Sequence, residues 1–353
     1  MSRARATLDG VSHLRLSVLD QSPIAEGSTG AQALANTLDL ARLAEERGYH
    51  RYWVAEHHGG PSLAGPSPEV VIGPIASVTS RLRVGSGGVM LPHYSPLKVA
   101  ESFSVLSALF PGRIDLGIGR ASGTDPLTTF ALQRDRRQAA PDDFPQQLAE
   151  LLALLEDRMP PDHPFARLAA LPGRPESPEP WLLGSSPQSA IWAAELGLPY
   201  AFADFINSRG APIAADYRGR FRDVGRLPAP VVAVGAWVVC ADTDEEARRL
   251  ASSGRMTLAL LRRGQLIPVP PVEKALRFLG SDGLAPESGR RAVVGAPDTV
   301  RAQLEALAAE YRAEEIIAVT ITHEHAARRR SYELLAGAFD LPLATPPADT
   351  LAA

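Results

Sequence analysis

Short runs of β-branched and apolar residues alternate with amphipathic helical stretches along most of the chain. That alternation constrains the fold more than any other feature. The runs are Leu14–Leu19, Tyr52–Ala55, Leu82–Gly87, Ile114–Ile118, Trp181–Leu183, Tyr200–Ala203, Val231–Val239 and Ile316–Thr322. Between them, spacing predicts helices over Ala31–Arg47, from Pro68, and over Leu97–Phe110, Phe144–Leu155 and Pro187–Leu196. Further helices are predicted over Ala211–Phe221, Asp244–Ser253, Pro297–Glu310 and Ala326–Phe339. Gly48 and Pro111-Gly112 follow their helices as stop signals. Strands that alternate with helices imply a parallel sheet, because parallel neighbours need a crossover. Eight such units predict a closed (β/α)8 TIM barrel with insertions. The pattern lapses over 121–180 and 254–290, which are read as insertion or lid loops. Residues 14–342 are then a single barrel domain and 343–353 a disordered tail. Two smaller α/β domains, split within 121–180, are the competing architecture.

Composition removes several function classes. The formal net charge of −4 argues against nucleic acid or an anionic membrane as the main partner. The single cysteine, Cys240, excludes an internal disulfide framework and any Cys-rich zinc or iron–sulfur site. No apolar stretch approaches the ~20 residues that span a bilayer. The arginines near the N-terminus have no apolar h-region behind them, so no signal peptide is read and a cytoplasmic protein is expected. All but two of the 36 basic residues are arginine, Lys98 and Lys274 being the exceptions. With abundant alanine and proline, this fits a GC-rich genome better than a collective anion-binding role.

In a parallel barrel, chemistry sits at the carboxyl ends of the strands. There the chain offers Asp20-Gln21-Ser22-Pro23, Glu56-His57-His58, Gly87-Gly88, Gly119-Arg120, Gly184-Ser185-Ser186 with Ser189, and His323-Glu324-His325. Asp20, Gln21, His58 and His323 are expected to line the active site. Gly184–Ser189 runs a strand into Pro187 and a helix, whose bare first-turn N–H groups suit a phosphate. An ordinary serine N-cap reads the same way. Arg120 is either a bidentate partner for that phosphate or a surface arginine. Gly87-Gly88 permits close approach by a flat ligand, or marks a bulge. Neighbouring strand residues point to opposite faces, so at most one of His57 and His58 faces the mouth directly. Histidine there is a donor or base, or a satisfied core residue. Gly117-x-Gly119 lacks the Rossmann spacing. His57, His323 and His325 share no HExxH pattern, and no metal is expected.

Several of these segments also carry a resemblance. They are LSVLDQSPI (Leu16–Ile24), YWVAEHH (Tyr52–His58), LRVGSGGVMLPHYSPLKVAESFSVL (Leu82–Leu106), PGRIDLGIGRASG (Pro111–Gly123) and LLGSSPQSAIWAAELGLPYAFADF (Leu182–Phe205). In this order and spacing the chain resembles the bacterial luciferase-like flavin monooxygenases. The resemblance implies a barrel that binds reduced FMN at the strand ends. His57 would stand near flavin and substrate as the catalytic residue. Gly87-Gly88 would form a bulge or non-prolyl cis bond beside the ring. Arg120 with Gly184, Ser185, Ser186 and Ser189 would hold the phosphate. Luciferases often have cysteine where this chain has Gly119, so light emission from an aldehyde is not implied.

The implied reaction uses O2 and a C4a-hydroperoxyflavin to hydroxylate or epoxidise an organic substrate. The cofactor carries that chemistry, while the protein excludes water and positions the substrate. His57 would need a pKa near the operating pH to pass protons. Loops within 121–180 would form the lid. No nicotinamide fingerprint is present, so a separate NAD(P)H:flavin reductase and a homodimer paired through the early helices are implied. The Arg/Ala/Pro-rich composition resembles actinobacterial members of polyketide pathways, the mensacarcin type among them, which act on aromatic polyketides in antibiotic biosynthesis. Long-chain aldehydes and sulfonates are the other substrate classes. The rival readings are an F420-dependent hydride-transfer oxidoreductase, a non-catalytic flavin-storing protein and a metal-dependent barrel hydrolase.

Overall fold

The computed structural model describes residues 14–120, 125–133, 135–137, 142–173, 176–280 and 292–343. Its first half runs β1 (Arg15–Asp20), α1 (Gly30–Glu46), β2 (Arg51–Val54), α2 (Pro68–Ser77), β3 (Arg83–Met90), α3 (Pro96–Leu109), β4 (Ile114–Gly119), α4 (Pro126–Leu132) and α5 (Phe144–Glu156). The second half runs β5 (Glu179–Gly184), α6 (Pro187–Glu195), β6 (Tyr200–Ala203), α7 (Ala211–Arg220), β7 (Val232–Cys240), α8 (Asp244–Leu261), α9 (Val272–Leu279), β8 (Ala292–Gly295), α10 (Pro297–Tyr311), β9 (Glu315–Val319) and α11 (His325–Ala338).

Eight of these strands close a parallel barrel. β1 to β6 pair in chain order, β6 pairs with β7, β7 with β9, and β9 with β1. The ninth strand, β8, pairs with β7 alone, from Trp237↔Ala292 to Cys240↔Gly295. The long β7 serves both roles: Ala233–Trp237 pair with β9, and Trp237–Cys240 carry β8. The sequence reading does not contain β8, whose four residues fall where the alternation lapses. It also ends α8 at Ser253, whereas the helix continues to Leu261. Ser252-Ser253-Gly254 has the composition of a breaker, but Gly254 sits inside the helix, with the Ile321 carbonyl 3.6 Å from where its Cβ would lie. The lapsed regions hold α4, capped by Asp125 with no buried residue, and α9, anchored by Val272 and Ala275. The expected tail after 343 lies outside the described residues.

Strand alternation sorts side chains into two layers. Leu16, Val18, Tyr52, Val54 and Val84 face outward into the core beneath the helices. Leu19, Trp53, Trp181, Ala233 and Ile317 fill the barrel. The barrel interior also holds an ionic layer. The buried Arg51 donates to Asp115 and Glu315, each at 2.7 Å, and lies 4.6 Å from the Trp181 ring centroid. Trp53 Nε1 donates to the same Asp115 carboxylate at 2.9 Å. Two carboxylates and a guanidinium inside a barrel persist because the guanidinium bonds to both carboxylates and aromatic rings close the space around them.

Candidate active site

Above this plug, at the carboxyl ends of the strands, lies a cavity of about 1170 Å3. Gln21 reaches it from the end of β1, and His57 and His58 from the end of β2. Phe205 and Ile206 follow β6, Trp237 and Val239 come from β7, and Val319 and Ile321 from the end of β9. Its cover is α8 and the segment after it, through Arg255, Leu258, Leu261, Gln265, Leu266 and Val269. The sequence reads 121–180 and 254–290 as insertion or lid loops; among the described residues the second supplies Arg255, Leu258, Leu261, Gln265, Leu266 and Val269 to the wall and the first only Asp125. Ending α8 early hid its lining face. The signal was present, since Ala251, Arg255 and Leu258 repeat at helical spacing.

Residues after β2 are held by a buried carboxylate. Glu56 accepts the Met90 N–H at 2.9 Å and the Tyr94 hydroxyl at 3.1 Å, and its Oε1 stands 2.7 Å from His58 Nε2. This ties the cavity-facing turn to the end of β3. His57 has no such carboxylate. Its backbone N–H donates to the Gly65 carbonyl at 2.9 Å, while Nδ1 is buried without a hydrogen-bond partner. Burial, with a smaller contribution from the neighbouring His58, pushes the imidazole down to about 4. His57 is therefore neutral at pH 7, with one donor and one acceptor nitrogen.

Gly87-Gly88 forms a cis peptide, and the β3–β4 register shifts between Gly87 and Val89. The backbones are close here: a Cβ on Gly88 would stand 2.7 Å from the Gly117 carbonyl oxygen. At the end of β5, Ser186 is the N-cap of α6, accepting the Ser189 N–H. The Ser189 hydroxyl is already engaged, donating to the Ser186 carbonyl at 2.8 Å and lying 2.9 Å from the Tyr200 hydroxyl. Gly184 makes room for it, because a Cβ there would stand 2.2 Å from Ser189 Oγ. Ser185 is half-buried, and its carbonyl accepts from Asn207. Arg120 lies over Trp192 of α6, 5.6 Å from the ring centroid, and pairs with the exposed Asp142 at 3.0 Å. Arg120 and the serine turn thus converge on α6. None of these residues lies on the cavity wall, which occupies the β6–β2 side of the mouth.

Two residues expected to line the site stand elsewhere. Asp20 is fully buried beneath α1 and α11, bound to Arg328, Thr37, Tyr52 and the Ser22 N–H. His323 lies against Glu324 and the Glu26 carbonyl. His325 pairs with Asp39 at 2.8 Å, so His57, His323 and His325 do not converge. Among the described residues, no group of three or more His, Cys, Asp or Glu side chains is placed to hold a metal ion.

The model of the luciferase-like monooxygenases matches residues 14–314. The chain belongs to that family. N-acetyl-S-alkylcysteine monooxygenase of Bacillus subtilis is 39% identical over 333 residues, 92% of this chain and 98% of that protein. The crystal structure of apo-MsnO8 is similar at 43% identity and a TM-score of 0.87, covering 94% of this chain and all of its own. The oxygenating constituent of a 3,6-diketocamphane monooxygenase from Pseudomonas putida, in complex with FMN, shares the fold. It has 21% identity and a TM-score of 0.71, covering 94% of this chain and 100% of that one.

Proposed function

We propose that this luciferase-like monooxygenase uses reduced FMN and O2 to oxygenate an organic substrate held in the barrel-mouth cavity. The observation that carries the reading is His57: a neutral imidazole on the cavity wall whose Nδ1 has no hydrogen-bond partner. An orphaned polar atom in a roomy, mostly apolar cavity is a place for a ligand. The residues present fit a flavin. Gly87-Gly88 would lie beside the ring, and the Pseudomonas putida structure holds FMN on this fold. Arg120, Ser185 and Ser186 would hold the phosphate at the start of α6, with Ser189 bracing the turn from below. A phosphate there replaces Asp142 as the partner of Arg120. When bound, reduced flavin supplies the electrons that activate O2.

The protein's own share is positional. His57, uncharged, donates or accepts a hydrogen bond at the wall without bringing an unpaired charge into the cavity. Apolar residues from β6, β7 and α8 exclude water. Trp237 and Phe205 stack at 6.2 Å and 5°. They offer a flat wall that suits an aromatic polyketide better than a long-chain aldehyde. Electrons come from a separate NAD(P)H:flavin reductase in the cytoplasm. Among the described residues, no helix is long and apolar enough to cross a membrane. Residues 14–342 act as one barrel domain, and two copies pair through the early helices; light scattering reads the dimer directly.

Anaerobic titration with reduced FMN, followed by mixing with O2, tests the cofactor. Reduced FMN should bind and reoxidise more slowly than the free cofactor. Binding of reduced F420 with none of reduced FMN would move the chain to hydride transfer, and binding of neither would end the flavin reading.

A further inference from the structure

Two polar side chains reach the cavity from neighbouring strands. β1 and β2 pair in parallel with Asp20 level with Val54, and the Ala55 N–H donates to the Asp20 carbonyl at 2.9 Å. Leu19 and Ala55 face the barrel interior. Two residues beyond each stand Gln21 and His57, and both line the cavity. One strap, residues 62–65, holds the two backbones together. The Ser62 carbonyl accepts the Ile24 N–H at 2.8 Å, the Ala64 N–H donates to the Ser22 carbonyl at 2.9 Å, and the Gly65 carbonyl accepts the His57 N–H. Ser22, at a φ of 49°, is kept in the left-handed region by its N–H bond to Asp20, which sets the turn directly after Gln21. Neither side chain spends its bonding on the protein. Gln21 is half-buried and its amide has no partner among the described residues, and His57 Nδ1 is buried without one. An amide offers both donors and acceptors, and a neutral imidazole one of each. Such groups favour a ligand that brings them a partner over one that covers them with hydrocarbon. β6 stands across the barrel from β2, and on that side Phe205 and Trp237 present stacked rings.

We propose that Gln21 sets substrate specificity: its amide, together with the His57 imidazole, grips a hydroxyl or carbonyl oxygen of a substrate whose flat apolar body lies toward Phe205 and Trp237. The proposal rests on the monooxygenase reading for what is turned over, but not for what binds.

The test is fluorescence titration of the full chain at neutral pH with 2-naphthol and with 2-methylnaphthalene, which has the same shape without the oxygen. The quantity read is the ratio of the two dissociation constants, in which the contribution of the shared rings cancels. Gln21→Leu should lower the preference for 2-naphthol at least about fivefold, the worth of one net hydrogen bond, and leave 2-methylnaphthalene no weaker. Gln21→Met, unbranched like glutamine, should repeat that fall, and His57→Leu should lower the ratio likewise. The retained affinity for 2-methylnaphthalene shows that each variant is folded. A smaller fall at either position, equal weakening of both probes, or no binding of 2-naphthol by the wild-type chain would overturn the proposal. A flavin ring also carries carbonyl oxygens, so the same proteins are titrated anaerobically with reduced FMN. If Gln21→Leu weakens reduced FMN and leaves the probe ratio unchanged, Gln21 reads the cofactor, which also overturns the proposal. If the wild-type chain binds no reduced FMN yet the ratio falls in the variants, the cofactor reading fails and this one stands.

Discussion

Replacing Asp20 by Asn tests how the barrel mouth is held from outside. Asp20 Oδ1 accepts the Ser22 N–H at 2.6 Å and Arg328 Nη2 at 2.5 Å, and Oδ2 accepts Thr37 at 2.7 Å and Tyr52 at 2.5 Å. Burial alone would raise this carboxyl, but the Arg328 charge and the hydrogen bonds from Arg328, Tyr52 and Ser22 hold it below the usual value. It is therefore ionised at neutral pH, and its stabilisation is lost only as pH falls through that depressed value. Asn keeps the shape and removes the charge. The Arg328 side chain, 3% exposed, then has the Thr320 carbonyl but no counter-ion. Leaving a buried charge unpaired costs about 3–5 kcal/mol. Unfolding entropy of ~2.1 cal/mol/K per residue gives about 0.7 kcal/mol/K for a chain of 353 residues, so Asp20→Asn should lower Tm by about 4–7 °C. Adding Arg328→Met removes the stranded charge and should recover at least about half of the loss, a coupling read from the double-mutant cycle. Calorimetric unfolding of the four proteins is the assay. A single-variant loss under about 1 kcal/mol, or strictly additive losses, would refute the view that this ion pair matters as a pair.

Three further outcomes follow from the site. His57→Ala should leave flavin affinity largely intact and uncouple the reaction, releasing peroxide in place of oxygenated product; unchanged coupled turnover would sink the role given to His57. Arg120→Ala should weaken FMN at least about tenfold and riboflavin hardly at all, since a lost phosphate pair is a lost charge-assisted contact. Equal losses would put the phosphate elsewhere. His57 titrates near 6.5 when unfolded and at about 4 when folded, so between these values the unfolded chain binds more protons and stability falls as pH drops. His57→Gln should flatten that fall in Tm against pH without abolishing it, because burial also holds His50 at about 4. An unchanged slope would mean that His57 is not shielded from water.

The barrel was legible because parallel strands buried on both faces announce themselves as apolar runs, and eight of them recur between helices. What stayed hidden has local causes. The four residues of β8 follow a stretch without periodicity and join only the far end of β7, so nothing in their composition marks them as sheet. Gly254 resembles a helix end, yet it packs against Ile321 in the middle of α8, and with that helix went Arg255, Leu258 and Leu261. Asp20 was misplaced although the pattern of β1 contains the answer. Leu16 and Val18 face the helices while Leu19 faces the barrel, and a period of two puts Asp20 with the former, toward Thr37 of α1 and Arg328 of α11. The same rule keeps Trp53 and Ala55 inside and carries His57 to the cavity. Position at a strand's carboxyl end thus names the candidates, and within the strand the parity of each residue decides which of them face the barrel and which brace the wall from behind; past the end of β2 the rule lapses, and His57 and His58 both line the cavity although at most one was expected to face the mouth directly.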